Sequence, residues 1–182
     1  MRKLTIIMVL ALLGCDLAPN LVESTVGTDD SSGVLPDGIK EEFENHHSAW
    51  GYNANAGKLF KELLVDLEQK LADGRALEDL RLVISSVDLA LERAESCDVE
   101  QLNEMYEGWG NSVRDDFVPG LRLRAQALRE LESHFKENGD SGASDRSKID
   151  LKSAKADALI GGHSKWFLEN LEAIGAKLEA LH

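Results

Sequence analysis

Proline is scarce in this chain, three residues in 182, and cysteine scarcer still at two. Two cysteines cannot build a disulfide framework. Aromatic residues make up 5%, and the β-branched alternation of a sheet protein appears nowhere, so a sandwich or barrel is disfavoured. Positive charge is also in deficit, with 20 Lys plus Arg against 33 Asp plus Glu and a net charge of -13. Nucleic-acid phosphates and anionic lipid headgroups repel such a chain, which argues against nucleic-acid binding and against membrane attachment through a basic helix. The catalytic signatures are missing as well. No C-x-x-C-H haem attachment, no Gly-rich phosphate loop and no G-x-S-x-G elbow occurs. What is plentiful is Leu, Ala, Glu and Lys, the composition of a helical protein.

The amino terminus carries the most specific signal. Arg2 and Lys3 precede an apolar region of ten residues, Leu4 to Leu13 with Thr5 its one polar member, ending in Leu12-Leu13-Gly14-Cys15. Ten residues are half of the roughly 20 that a bilayer crossing needs. The segment resembles the signal peptide and lipobox of bacterial lipoproteins; Leu12 and Gly14 match, and Leu13 departs mildly from the usual smaller or β-branched residue. The resemblance implies cleavage before Cys15, lipidation of its thiol and acylation of the new amino terminus. The protein is then anchored to a membrane by its acyl chains on the periplasmic side of the cell envelope. Asp16 resembles the residue that retains lipoproteins in the inner membrane of enteric bacteria, which favours the inner over the outer membrane. A plain secretory signal, or a buried amino-terminal strand, with an incidental cysteine is the alternative. Loss of Arg2 and Lys3 leaves 18 basic residues against 33 acidic, or -15. Cys97 is left without an intramolecular partner.

Three regions follow: residues 1–14 as signal peptide, 15–37 as lipidated cysteine and tether, and 38–182 as an acidic helical domain. The tether holds Pro19, Gly27, Asp29-Asp30, Ser31-Ser32, Gly33 and Pro36 without apolar periodicity, which reads as a disordered spacer. A flexible chain of this length reaches roughly 26 Å.

Beyond it the apolar pattern is helical. Asp37 reads as the cap of a first helix with the seam Ile39, Phe43, His46, Trp50, Asn53, Gly57, Phe60, Leu64, Leu67 and Leu71, stopped by Asp73-Gly74. A shorter second helix carries Leu77, Leu80, Ile84, Val87, Leu91 and Ala94. Asp98 reads as the cap of a third, with Val99, Leu102, Tyr106, Trp109 and Val113, kinked near Pro119-Gly120 and running on to Asn138. After the loop 138–144, a last helix from about Asp145 to Leu181 turns Ala156, Ile160, His163, Phe167, Leu171, Ile174, Leu178 and Leu181 inward. The expected fold is therefore all-α, an up-down bundle of four helices, with a three-helix bundle containing a broken hairpin as the runner-up.

Helical bundles often house metals, so the histidines matter. One E-x-x-H occurs, at Glu44 and His47, where di-iron bundles need two; His134 and His163 lack the preceding glutamate. With helix ends flush and 1.5 Å rise per residue, His46 and His163 miss each other by roughly 16 Å. No metal and no cofactor is expected on this reckoning. Cys97 followed by Asp98 is a poor nucleophile, since an adjacent anion raises a thiol pKa. The same heights bring Trp50, Trp109 and Trp166 towards one level, at about 16, 15 and 22 Å. Gly51, Gly57, Gly108 and Gly110 lie near them. His47-Ser48-Ala49-Trp50 and His163-Ser164-Lys165-Trp166 share H-S-x-W. This layer is either plain aromatic core or a small apolar-ligand pocket lined by Trp50, Trp109, Trp166 and Tyr106, with Asn53 and His163 as polar contacts. The leading expectation is a non-enzymatic interaction module, tethered to the envelope, whose acidic surface meets a basic protein partner. A carrier of a small ligand or metal is the alternative, and homo-oligomerisation along the helical seams stays open.

Overall fold

The computed structural model describes residues 37–138 and 143–179; the segments expected to be signal peptide and tether, with Cys15, lie outside the described residues. The described chain is all-α. Its elements are α1 (Asp37–Leu64), α2 (Leu67–Ala72), α3 (Arg75–Glu95), α4 (Val99–Met105), α5 (Trp109–Ser112), a π-helical turn (Val113–Phe117), α6 (Val118–Asn138) and α7 (Ala143–Glu179). Among the described residues no helix is long and apolar enough to cross a membrane.

A column of buried positions on α1, Glu42, His46, Ala49, Asn53, Ala56, Phe60 and Leu63, runs in alternating steps of four and three that Leu67 of α2 continues, with Asn45 buried beside it. The seam read from the sequence shares His46, Asn53, Phe60 and Leu67 with this column. Phe43, Trp50, Gly57 and Leu64 lie half-buried on its flank. The seam turns that way because α1 packs mainly on α3, where Ala49 and Ala56 let the two backbones approach. In turn α3 packs on α6, and α6 on α7. The core has two lobes. One gathers Phe60, Leu63, Leu80, Val83, Val87 and Leu128; the other gathers Leu102, Met105, Trp109, Phe117, Leu121, Ile160 and Ile174.

Two helix boundaries differ from expectation. The first helix does not run unbroken to Asp73: Asp66 adopts a left-handed conformation (φ 55°) and separates α1 from α2. The expected third helix breaks at Tyr106–Gly108 rather than at Pro119. There Tyr106 is extended and Gly108 is left-handed (φ 86°). At Pro119 the helix continues, because the preceding turn widens. Val118 N–H donates to the Val113 carbonyl, five residues back. An α-helical proline clashes with the carbonyl four residues earlier and offers it no donor; a π-turn relieves that conflict without ending the helix.

Two glycines set the register. A Cβ on Gly110 would lie 2.0 Å from the Val99 carbonyl oxygen, so the start of α5 crosses the start of α4 in backbone contact. A Cβ on Gly120 would lie 2.7 Å from Ile160 Cγ1 and 3.1 Å from Ile160 N, which fixes α6 against α7 just after the π-turn.

Candidate functional site

The π-turn, α1 and α7 converge on two histidines. His46 Nε2 lies 3.0 Å from His163 Nε2, and His163 Nδ1 lies 3.0 Å from Ser112 Oγ. The expected 16 Å separation of the two histidines is thus wrong. That reckoning assumed helix ends at one level. His46 is about 14 Å along α1 from Asp37, while His163 is about 24 Å along α7 from Glu179, at 1.5 Å per residue. Because the two side chains meet, α7 must overhang the start of α1 by about 10 Å. This end of α7 packs on α4 and the residue that follows it: Tyr106 Oη donates to Asn170 Oδ1 at 3.0 Å, and Ile174 joins Leu102 and Met105 in one core cluster.

The pair is sealed by rings. His46 is 2% exposed and His163 0%. Phe117 stacks on His163 at 4.5 Å between centroids, and Trp109 meets His46 edge-on at 5.2 Å. His46 packs on Phe167 at 4.8 Å and His163 on Trp50 at 5.6 Å. The arrangement has an approximate two-fold character. Each histidine carries an aromatic residue four positions later on its own helix, Trp50 after His46 and Phe167 after His163, and each packs on the other's. Trp50 and Phe167 are themselves 5.1 Å apart and only half-buried, so they form the outer wall of the box across the α1–α7 seam.

Burial decides the charge of the pair. Desolvation, reinforced by the mutual repulsion of two imidazolium charges, holds His46 well below the usual histidine pKa. Desolvation lowers His163 to about 3. Both rings are neutral at pH 7, with one N–H each. Two tautomeric arrangements satisfy the network. Either His46 donates to His163 and His163 to Ser112, or Ser112 donates to His163 and His163 to His46. Trp109 Nε1 is buried without a hydrogen-bond partner.

The residues proposed from the sequence for a pocket divide. Trp50, Trp109 and His163 come together in the box. Trp166 stands apart, packing edge-on against Tyr106 at 6.0 Å and covering Gly108, whose Cβ would touch it at 3.4 Å. Asn53 serves a different cluster: it accepts from Arg124 Nη1, while Arg124 Nη2 donates to Asp157 Oδ1 at 2.6 Å, tying α1, α6 and α7 together. Among the glycines of that layer, Gly110 marks a helix crossing and Gly51 meets nothing within 4 Å.

Sequence reasoning placed both His46 and His163 on inward seams but overlooked Ser112 and Phe117. The shared H-S-x-W pointed at the wrong histidine, since His47 is exposed and stacks on Phe43 at 6.1 Å. The better signal was histidine followed four residues later by an aromatic, on two antiparallel helices. Elsewhere, Cys97 is buried, its thiol pushed up to about 12 by desolvation and by Glu42. Glu42 accepts the Asp98 backbone N–H at 2.6 Å and is itself raised by burial. Among the described residues, no group of three or more His, Cys, Asp and Glu is placed to hold a metal ion.

The chain matches no known protein family, no characterised protein and no solved structure.

Proposed function

We propose that this protein is a non-enzymatic bacterial lipoprotein: an acidic bundle of four long helices in up-down order, tethered to the periplasmic face of a membrane through Cys15, which binds a basic protein partner. The observation that carries this reading is Leu12-Leu13-Gly14-Cys15 closing an apolar region of ten residues that follows two basic ones. Two or three acyl chains hold a protein at a membrane where one is marginal. The net charge of -13 favours a basic partner and an association that weakens with salt. Asp16 favours the inner membrane. Metabolic labelling with an alkyne-bearing fatty acid tests the anchor. Wild-type chain takes the label and partitions into detergent, and Cys15→Ser does neither. A wild-type chain that stays unlabelled and aqueous overturns the reading.

A second reading, a carrier bundle, is favoured by one specific observation. Two neutral imidazole nitrogens face each other at 3.0 Å inside an aromatic box. Native mass spectrometry of the purified chain tests it: a reproducible added mass supports a carrier, and a bare chain after incubation with metals and small apolar ligands counts against one.

A further inference from the structure

We infer that His46 and His163 form a two-coordinate site for a monovalent, soft d10 cation, cuprous copper, held between their Nε2 atoms; the inference rests on the carrier reading. Imidazole nitrogen is a good copper ligand, and the two Nε2 atoms point at each other from opposite sides of one seam, at 3.0 Å. A linear nitrogen–metal–nitrogen arrangement spans roughly 4 Å, twice a metal–imidazole bond of about 2.0 Å. The pair must therefore open by about 1 Å. The backbone contacts of α7 are mainly with α6 and the π-turn rather than with α1, so this adjustment falls on the side chains that meet across the α1–α7 seam.

The charge of the surroundings selects the ion. Both ligands are neutral, and among the described residues no third ligating side chain joins them. A divalent ion in such a site would bring two uncompensated charges into a dry interior, and its remaining coordination positions would face rings. A single positive charge with two nitrogen ligands suffers neither defect. Trp50, Trp109, Phe117 and Phe167 line the pair. The approximate two-fold arrangement matches a ligand set of two equal donors.

Proton bookkeeping closes without a co-reactant. To present both Nε2 lone pairs, each ring keeps its proton on Nδ1. His163 Nδ1–H then donates to Ser112 Oγ, which accepts at 3.0 Å. In the first tautomeric arrangement the proton on His46 Nε2 moves to His46 Nδ1, and in the second the proton on His163 Nε2 moves to His163 Nδ1, so uptake at pH 7 is a tautomer shift that releases no proton. No electron is transferred. Ser112 owes its place to the helix that the π-turn continues, and π-turns recur at functional sites. The half-buried Trp50 and Phe167 lie where an ion would enter.

The test uses the full chain in detergent micelles with Cys15→Ser and Cys97→Ser, which removes both thiols, titrated anaerobically with Cu(I) against bicinchoninate. One equivalent per chain is expected, with X-ray absorption showing two nitrogen scatterers and no sulfur. His46→Gln and His163→Gln should each weaken uptake at least tenfold, and Ser112→Ala, which removes the Nδ1 acceptor, by a smaller factor. The absorption spectrum of the thiol-free chain decides even where a histidine variant fails to fold. No uptake against bicinchoninate, sulfur-only ligation, or full uptake by folded His163→Gln overturns the assignment. If zinc or an organic molecule occupies the pair instead, copper is wrong while the carrier reading survives; if nothing binds, both fall.

Discussion

At the scale of single residues, the same amino acid has opposite meanings at two positions. Gly51 and Gly110 both sit in helices, where glycine costs about 1 kcal/mol against alanine. A methyl group at Gly51 meets nothing within 4 Å, so Gly51→Ala should stabilise the fold by up to about 1 kcal/mol. At Gly110 the added carbon would overlap the Val99 carbonyl at 2.0 Å, and backbone cannot yield as a flexible side chain does. Gly110→Ala should cost about 3 kcal/mol or more, at the upper end of overpacking penalties. Chemical denaturation of the two variants side by side measures this. Equal and small effects would mean that α4 and α5 do not cross as described. Nothing in the sequence distinguishes the two glycines, because the partner of Gly110 is a carbonyl eleven residues away, brought close by the turn at Gly108.

At the scale of elements, boundaries followed local chemistry where that chemistry was self-contained. Asp98 caps α4 as its position before an apolar run suggested: its Oδ1 accepts from Glu100 N at 2.9 Å and Gln101 N at 3.0 Å. Asp98→Ala should destabilise the protein by about 1 kcal/mol, within the range of caps. Native-state hydrogen exchange should show the loss concentrated in α4, whereas unchanged protection at Glu100 and Gln101 would exclude the cap. Pro119 shows the other case. The proline rule predicts a kink or a break; the helix does not break, because the chain has a second answer in the π-turn, whose Phe117 packs on α7 as does the preceding Ser112. Such partners are tertiary, so the sequence rule alone could not choose between them.

At the scale of the whole molecule, the buried histidine pair links stability to pH. In the unfolded chain each imidazole takes up a proton near pH 6.5; in the folded chain His163 resists to about 3 and His46 stays well below its ordinary value. The unfolded state therefore binds more protons as pH falls below 6.5, and stability falls with it, by about 1.4 kcal/mol per pH unit for each histidine. Above pH 6.5 this contribution is complete and flat. Glu42 and Asp116, both raised by burial, act in the opposite sense, so acidification into the carboxylate range relieves their cost. The histidine effect is cleanest between about pH 6 and 5. Urea unfolding over that interval should show a steeper loss for wild type than for His163→Gln, by about 1.4 kcal/mol per unit. Parallel slopes would mean that the imidazoles are hydrated or already charged in the fold.

Periodicity of 3.6 is a local property, so the sequence by itself determined the all-α class, the inward faces of α3 and α7, the cap at Asp98 and the break at Gly74. Its amino-terminal pattern likewise determined the expectation of a lipid anchor. What only tertiary structure decided is how far one helix slides past another. The overhang of α7 is set by Gly120 against Ile160 and by the packing of Ile174 on α4, contacts between residues at least 40 positions apart. Sliding a helix by about 10 Å leaves its own pattern intact, because the hydrophobic stripe repeats along its length. That slide brings His163 level with His46, and with it the one polar pair at the centre of the aromatic box.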